Sequence, residues 1–100
     1  MQPVYRTLSG PGEALYKEKG SRFLAFARPV DDRTAVREVL DDLRGQFHDA
    51  RHHCYAWVLN DAEKSYRAND DGEPNHSAGD PILGQIRALD LLNVLVVVVR

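Results

Sequence analysis

Residues 93–100, "NVLVVVVR", decide how the fold is read. The run is β-branched almost throughout and has no polar alternation, the pattern of a strand covered on both faces or lying centrally in a sheet. It is far too short to cross a bilayer. Working back from it, Asp80 before Pro81 reads as a helix start, with Asp80 as the cap and Ile82, Leu83, Ile86 and Leu89 as the apolar face. Earlier still, "HHCYAWVLN" at 52–60 is a second apolar strand, and "KSYRA" after the polar "NDAE" is its hairpin partner. Asp31 and Asp32 offer cap oxygens to an amphipathic helix from residue 32 to about 45, where Val36, Val39, Leu40, Leu43 and Phe47 recur at steps of three and four. "EALYKEK" and "RFLAFARPV" form a hairpin around Gly20 and Ser21. The order ββαββ, loop, αβ predicts an α+β fold, a two-layer sheet with the helices on one face.

One hundred residues suit a single small domain, and 43% hydrophobic residues are enough for a core. Residues 1–11 read as an extension and 12–100 as the domain. Thirteen Lys and Arg against fifteen Asp and Glu leave a net charge of -2, so no global positive field draws the chain to nucleic acid or anionic lipid. The single cysteine, Cys54, excludes an internal disulfide, and "MQPVYRTLSG" has neither region of a signal peptide. A cytoplasmic setting and no membrane partner are expected. Nothing in the sequence fixes the oligomeric state.

The segment "RANDDGEPNHSAGDPILGQI", 67–86, carries the densest polar chemistry. Asp71-Gly72 is a turn dipeptide and Pro74 sets the exit direction, so a plain loop is the bland reading. An EF-hand fails: with Gly72 in the sixth position, Arg67 and Ala78 fall where carboxylates are required. Asp70, Asp71 and Glu73 suit a hydrated magnesium ion or a partner's arginines. A phosphate at the following helix N-terminus would compete with Asp80. His48, His52, His53, Cys54 and His76 have no zinc-finger spacing, and Cys54 lacks a positioned base, so no metal site, cofactor or catalytic constellation is assigned.

Read together, "DDGEPNHSAGDPIL" and "DARHHCYAW", with "GSRFLAFARPV" ahead and "NVLVVVVR" behind, resemble the Impact family over about residues 12–100. Asp70, Asp71, Gly72, Glu73, Pro74, Ala78, Gly79, Pro81, Ile82 and Leu83 match its long fingerprint, and Arg51, His52, Cys54 and Tyr55 match its strand motif. Asn75, His76 and Ser77 stand where Ser-Gly-Thr is usual, and His53 where Asn is usual. Family members usually continue with Tyr-Phe-Gly-Gly and a further helix, then in bacteria a second, ferredoxin-like domain; these are expected to be missing from this chain. The resemblance implies a fold like the second domain of ribosomal protein S5 and a link to translation.

The leading expectation is therefore a non-catalytic binding or regulatory domain that contacts RNA or a ribosome-associated partner. Lys17, Lys19, Arg22, Arg28, Arg51 and Arg67 are the candidate nucleic-acid contacts, with Tyr16, Phe23, Tyr55, Trp57 and Tyr66 interleaved for base stacking. The rival is a protein-interaction module working through Asp70, Asp71, Gly72, Glu73, Pro74, His76, Ser77 and Gly79. An enzyme completed by residues beyond this chain is third.

Overall fold

The computed structural model describes residues 8–18, 21–73 and 75–100. Five strands and two helices follow one another as β1 (Gly12–Glu18), β2 (Ser21–Pro29), α1 (Arg33–Gln46), β3 (His53–Val58), β4 (Tyr66–Asn69), α2 (Gly79–Ala88) and β5 (Val94–Val99). The strands form one antiparallel sheet in the order β1-β2-β5-β3-β4. The α+β class is thus established, with the chain's last strand at the centre of the sheet. Of the expected turn residues, Gly20 lies outside the described residues together with Lys19, whereas Ser21 is the first residue of β2 and pairs with Glu18.

Helix α1 starts where two aspartates precede the apolar series. Asp32 takes an extended conformation, and its Oδ1 accepts the Ala35 N–H at 2.8 Å. That interaction satisfies one of the donors that a helix start leaves open. At the other end the Phe47 N–H closes on the Leu43 carbonyl. Val36, Leu40 and Leu43 are buried, and they join Phe26, Tyr55, Trp57, Leu95 and Val97 in the larger core. Leu83 and Ile86 of α2 join Ala56, Val58 and Val94 in the smaller one.

These two cores lie on opposite sides of the sheet. Tyr55 and Ala56 are neighbours in β3, as Val94 and Leu95 are in β5, and successive strand residues point to opposite faces. The expectation of both helices on one face is corrected to one helix on each. Chain direction supplies the reason. The β2-α1-β3 and β4-α2-β5 crossovers each link parallel strands past one intervening strand. Turning the sheet by half a turn about its normal superposes one crossover on the other and leaves the faces unchanged. Crossovers of equal hand would therefore share a face. With the helices apart, one crossover departs from the right-handed rule that governs nearly all such units.

Candidate functional site

The 70–79 loop begins with a tight turn in which the Glu73 N–H donates to the Asp70 carbonyl at 3.0 Å. Its central residues, Asp71 at φ 46° and Gly72 at φ 89°, occupy the left-handed region that Asp-Gly turns exploit. A Cβ at Gly72 would meet the His52 ring at an ordinary 3.4 Å, so it is the backbone conformation, not packing, that favours glycine there. His76 likewise takes positive φ, at 63°. Pro74 lies outside the described residues.

The two aspartates hold the protein's own backbone. Asp70 Oδ1 accepts the N–H groups of Ala78 at 3.1 Å and Gly79 at 2.7 Å, while Oδ2 accepts that of His76 at 3.0 Å. These donors, led by Gly79, keep the Asp70 carboxyl below the usual carboxylate range. Asp71 Oδ2 accepts the His53 N–H at 2.7 Å. The side chain that meets the open donors of α2 is thus Asp70, well upstream in the chain, whereas Asp80 sits within the first turn and pairs with His76. This corrects the expectation that Asp80 caps the helix. Propensity favoured Asp80 as the cap with Pro81 as the first helical residue, but the helix begins two residues earlier, at Gly79, where a Cβ would lie 2.6 Å from the Asn69 backbone nitrogen. The close approach of α2 to the end of β4 brings Asp70 within reach of the helix start.

The His52 ring seats the loop beside β3, and the His53 ring faces Asp71 from the strand. His52 Nδ1–H donates to the Asp71 carbonyl at 2.6 Å, and its Nε2 stands 3.7 Å from Glu73 Oε1. His53 Nε2–H donates to the Phe47 carbonyl at 3.0 Å, and its Nδ1 stands 3.8 Å from Asp71 Oδ2. Because carbonyls only accept, each contact fixes which ring nitrogen carries the proton. Cys54, 4% exposed, donates Sγ–H to the Asp70 carbonyl at 3.2 Å. Burial, followed by the charges of Glu73, Asp71 and Asp70, pushes its thiol up to about 11, against a smaller lowering by Arg100. A protonated thiol is a poor nucleophile and a poor metal ligand.

Beside this loop lies a pocket of about 450 Å³ on the α2 face of the sheet, lined by Phe23, Cys54, Val98, Ala78, Ile82, Ser77, Glu73 and Arg100. Cys54 and Val98 are register partners, and Phe23 precedes Leu24, the partner of Val99. The floor is therefore sheet, one wall is the start of α2, and Glu73 and Arg100 form the polar side. Arg100 Nη1 donates to Glu73 Oε1 at 2.7 Å. Among the described residues no group of three or more His, Cys, Asp or Glu is placed to hold a metal ion.

Of the loop residues singled out in the sequence, Glu73 and Ser77 reach the pocket, Asp70 and Asp71 brace the loop, His76 is exposed beside Asp80, and Gly79 is buried at the helix start. The candidate cations are not gathered into one patch. Lys17, whose backbone pairs with Arg22, and Arg28 belong to the β1-β2 hairpin, whereas Arg67 is on β4 at the far edge, roughly 19 Å away at ordinary strand spacing. Arg28 is tied to Glu13 and the Gly12 carbonyl. Arg51 is exposed before β3, and Lys19 is outside the described residues. Tyr55 and Trp57 are core residues beneath α1; Tyr66 is 58% exposed but lies under Arg87. Arg100 and Val98 escaped the sequence reading as site residues. Only the register of β5 beside β3 brings them to the loop.

One sheet, two helices and a braced loop beside a pocket define an α+β domain with a preformed concave site. The chain belongs to the Impact family: the Impact N-terminal domain model matches residues 19–100. It is 34% identical over 94 residues to the IMPACT family member YigZ of Escherichia coli, covering 92% of this chain and 46% of that protein. It is 31% identical over 96 residues to the IMPACT family member YvyE of Bacillus subtilis, covering 96% and 44%. A solved crystal structure of a hypothetical protein superposes with a TM-score of 0.88 at 33% identity, over 94% of this chain and 47% of that one. The chain thus spans less than half the length of these relatives. No helix among the described residues is long and apolar enough to cross a membrane.

Proposed function

We propose that the chain is a non-catalytic binding domain whose recognition surface is the 70–79 loop with its adjoining pocket, and that the partner is a protein. The observation that supports this is the pocket itself: an apolar floor left uncovered by α2, beside a loop whose backbone is held by the Asp70 carboxylate and the His52 imidazole, with Asp71 anchored on the His53 N–H. A preformed apolar concavity with a few fixed polar groups suits an anchoring side chain. The family resemblance favours a partner that works in translation. RNA is the second reading, favoured by one observation: Arg22 is the register partner of the backbone position of Lys17, which sets two candidate cation positions side by side at one end of the β1-β2 hairpin. A cationic pair of that kind contacts phosphates in a salt-dependent way.

Capture from cell lysate, with and without nuclease, by the chain and by Ser77→Trp tests both readings. Ser77 is exposed at the pocket, so the indole obstructs the mouth without entering the core. The expected result is nuclease-resistant capture that Ser77→Trp loses at an unchanged melting temperature. Nuclease-sensitive capture kept by Ser77→Trp and lost by Arg22→Ala would transfer the function to RNA.

A further inference from the structure

The mouth of the pocket already holds a cation of the chain itself. Arg100 pairs with Glu73 at 2.7 Å, and its guanidinium carbon stands 5.7 Å from the centroid of the Phe23 ring. Both contacts are ones that any guanidinium makes, a charge-assisted bond to a carboxylate and a cation against an aromatic ring. The two partners differ in exposure: the Glu73 side chain is 14% exposed and that of Arg100 41%. The carboxylate belongs to the wall, whereas the guanidinium lies at the entrance.

The rest of the lining matches the remainder of such a side chain. Phe23, Ala78, Ile82 and Val98 offer an apolar bed, and an arginine side chain combines an apolar stem with a cationic head. The local charge has the complementary sign: among the described residues, the charges acting on Cys54 are those of Glu73, Asp71 and Asp70 against that of Arg100. An anionic ligand would have to draw Arg100 away and leave Glu73 with only His52, at 3.7 Å.

We propose that this pocket receives an arginine side chain of a protein partner, and that Arg100 is the resident competitor it displaces from Glu73. The inference rests on the binding reading above and supplies its ligand chemistry. Displacement exchanges one guanidinium for another on the same carboxylate, so no buried charge is left unpaired during recognition. The incoming stem covers Phe23, Ile82 and Val98, an apolar contact in addition to the ion pair it replaces.

Agmatine, a guanidinium on a four-carbon amine stem, is the probe, titrated at low salt and followed through backbone amide resonances around the pocket. The chain binds it weakly. Arg100→Gln, which removes the competitor and retains a polar side chain, binds about tenfold tighter; Arg100→Lys, which retains a cation, behaves like the parent. Adding Glu73→Gln to Arg100→Gln abolishes the saturable shifts, with thermal unfolding confirming that each variant is folded. Affinity in Arg100→Gln no greater than in the parent, or undiminished in the double variant, overturns the proposal. If Arg100→Gln fails to bind agmatine while Ser77→Trp still loses capture, the cation is wrong and the binding surface stands. Tight agmatine binding with capture unaffected by Ser77→Trp has the opposite meaning: the cation site is real, and its role in partner recognition is overturned.

Discussion

Asp70 and Asp80 are two acids that flank the same loop and meet different partners, Asp70 the backbone N–H groups at the helix entrance and Asp80 the His76 ring. Asp80 beside Pro81 has the favoured composition of a cap, yet the three N–H groups at the helix entrance converge on Asp70. Nothing local distinguishes Asp70, because its partners lie six to nine residues ahead and meet it only once α2 has docked against β4. Asp70→Asn is therefore expected to lower the melting temperature more than Asp80→Ala, a ranking that thermal unfolding of the two variants checks. Equal losses would return the cap to Asp80. The thiol of Cys54 offers a second measurement. Its raised value favours the protonated form in the folded state, so the associated stability is complete below pH 9.0 and is lost as pH rises toward about 11. Iodoacetamide should label native Cys54 slowly at neutral pH. Cys54→Ala should flatten the part of the stability decline between pH 9 and 11 that the parent shows.

Among the elements, α1 was legible because periodicity, capping and charge agree: Asp32 does cap it, and Val36, Leu40 and Leu43 are buried as their spacing requires. The strands were equally legible in kind. "HCYAWV" and "VLVVVV" lack alternation because both faces of β3 and β5 are covered, one by each core. That same absence of alternation already carries the information that helices sit on two faces, but crossover handedness leaves no mark in residue patterns. The pocket was legible only in part. Glu73 and Ser77 fall within the loop, whereas Arg100 joins them through a ladder neighbour, the His52 carbonyl accepting its N–H at 3.0 Å. Docking of α2 on β4 depends on Gly79, whose missing side chain lets the helix meet Asn69 backbone to backbone. Gly79→Ala should cost about 1–3 kcal/mol through overpacking, measurable by denaturant titration, and should loosen the loop that Asp70 pins there. An unchanged midpoint would show that the approach is not obligatory.

For the whole molecule, the distribution of polar groups favours one working side. The α1 face is closed by the larger core, with Arg33 over Trp57 and Arg28 over Phe26. The α2 face keeps an open stretch of sheet beside the loop, and this is where Glu73, Ser77 and Arg100 meet. The central place of β5 has a further consequence, for synthesis rather than recognition. Without it, β1-β2 and β3-β4 are two separate ribbons, since neither hairpin pairs with the other. A ribosome making this chain therefore releases β1 to β4 with α1 and α2 before β5, the segment that joins the two ribbons, emerges. Two-stranded ribbons are marginal alone, and non-local pairing is slow. Nascent chains arrested before Val94 has left the exit tunnel should remain protease-sensitive throughout, and chains extended to expose Arg100 should acquire resistance in a single step. Resistance appearing earlier would mean that one half of the sheet can stand without its keystone.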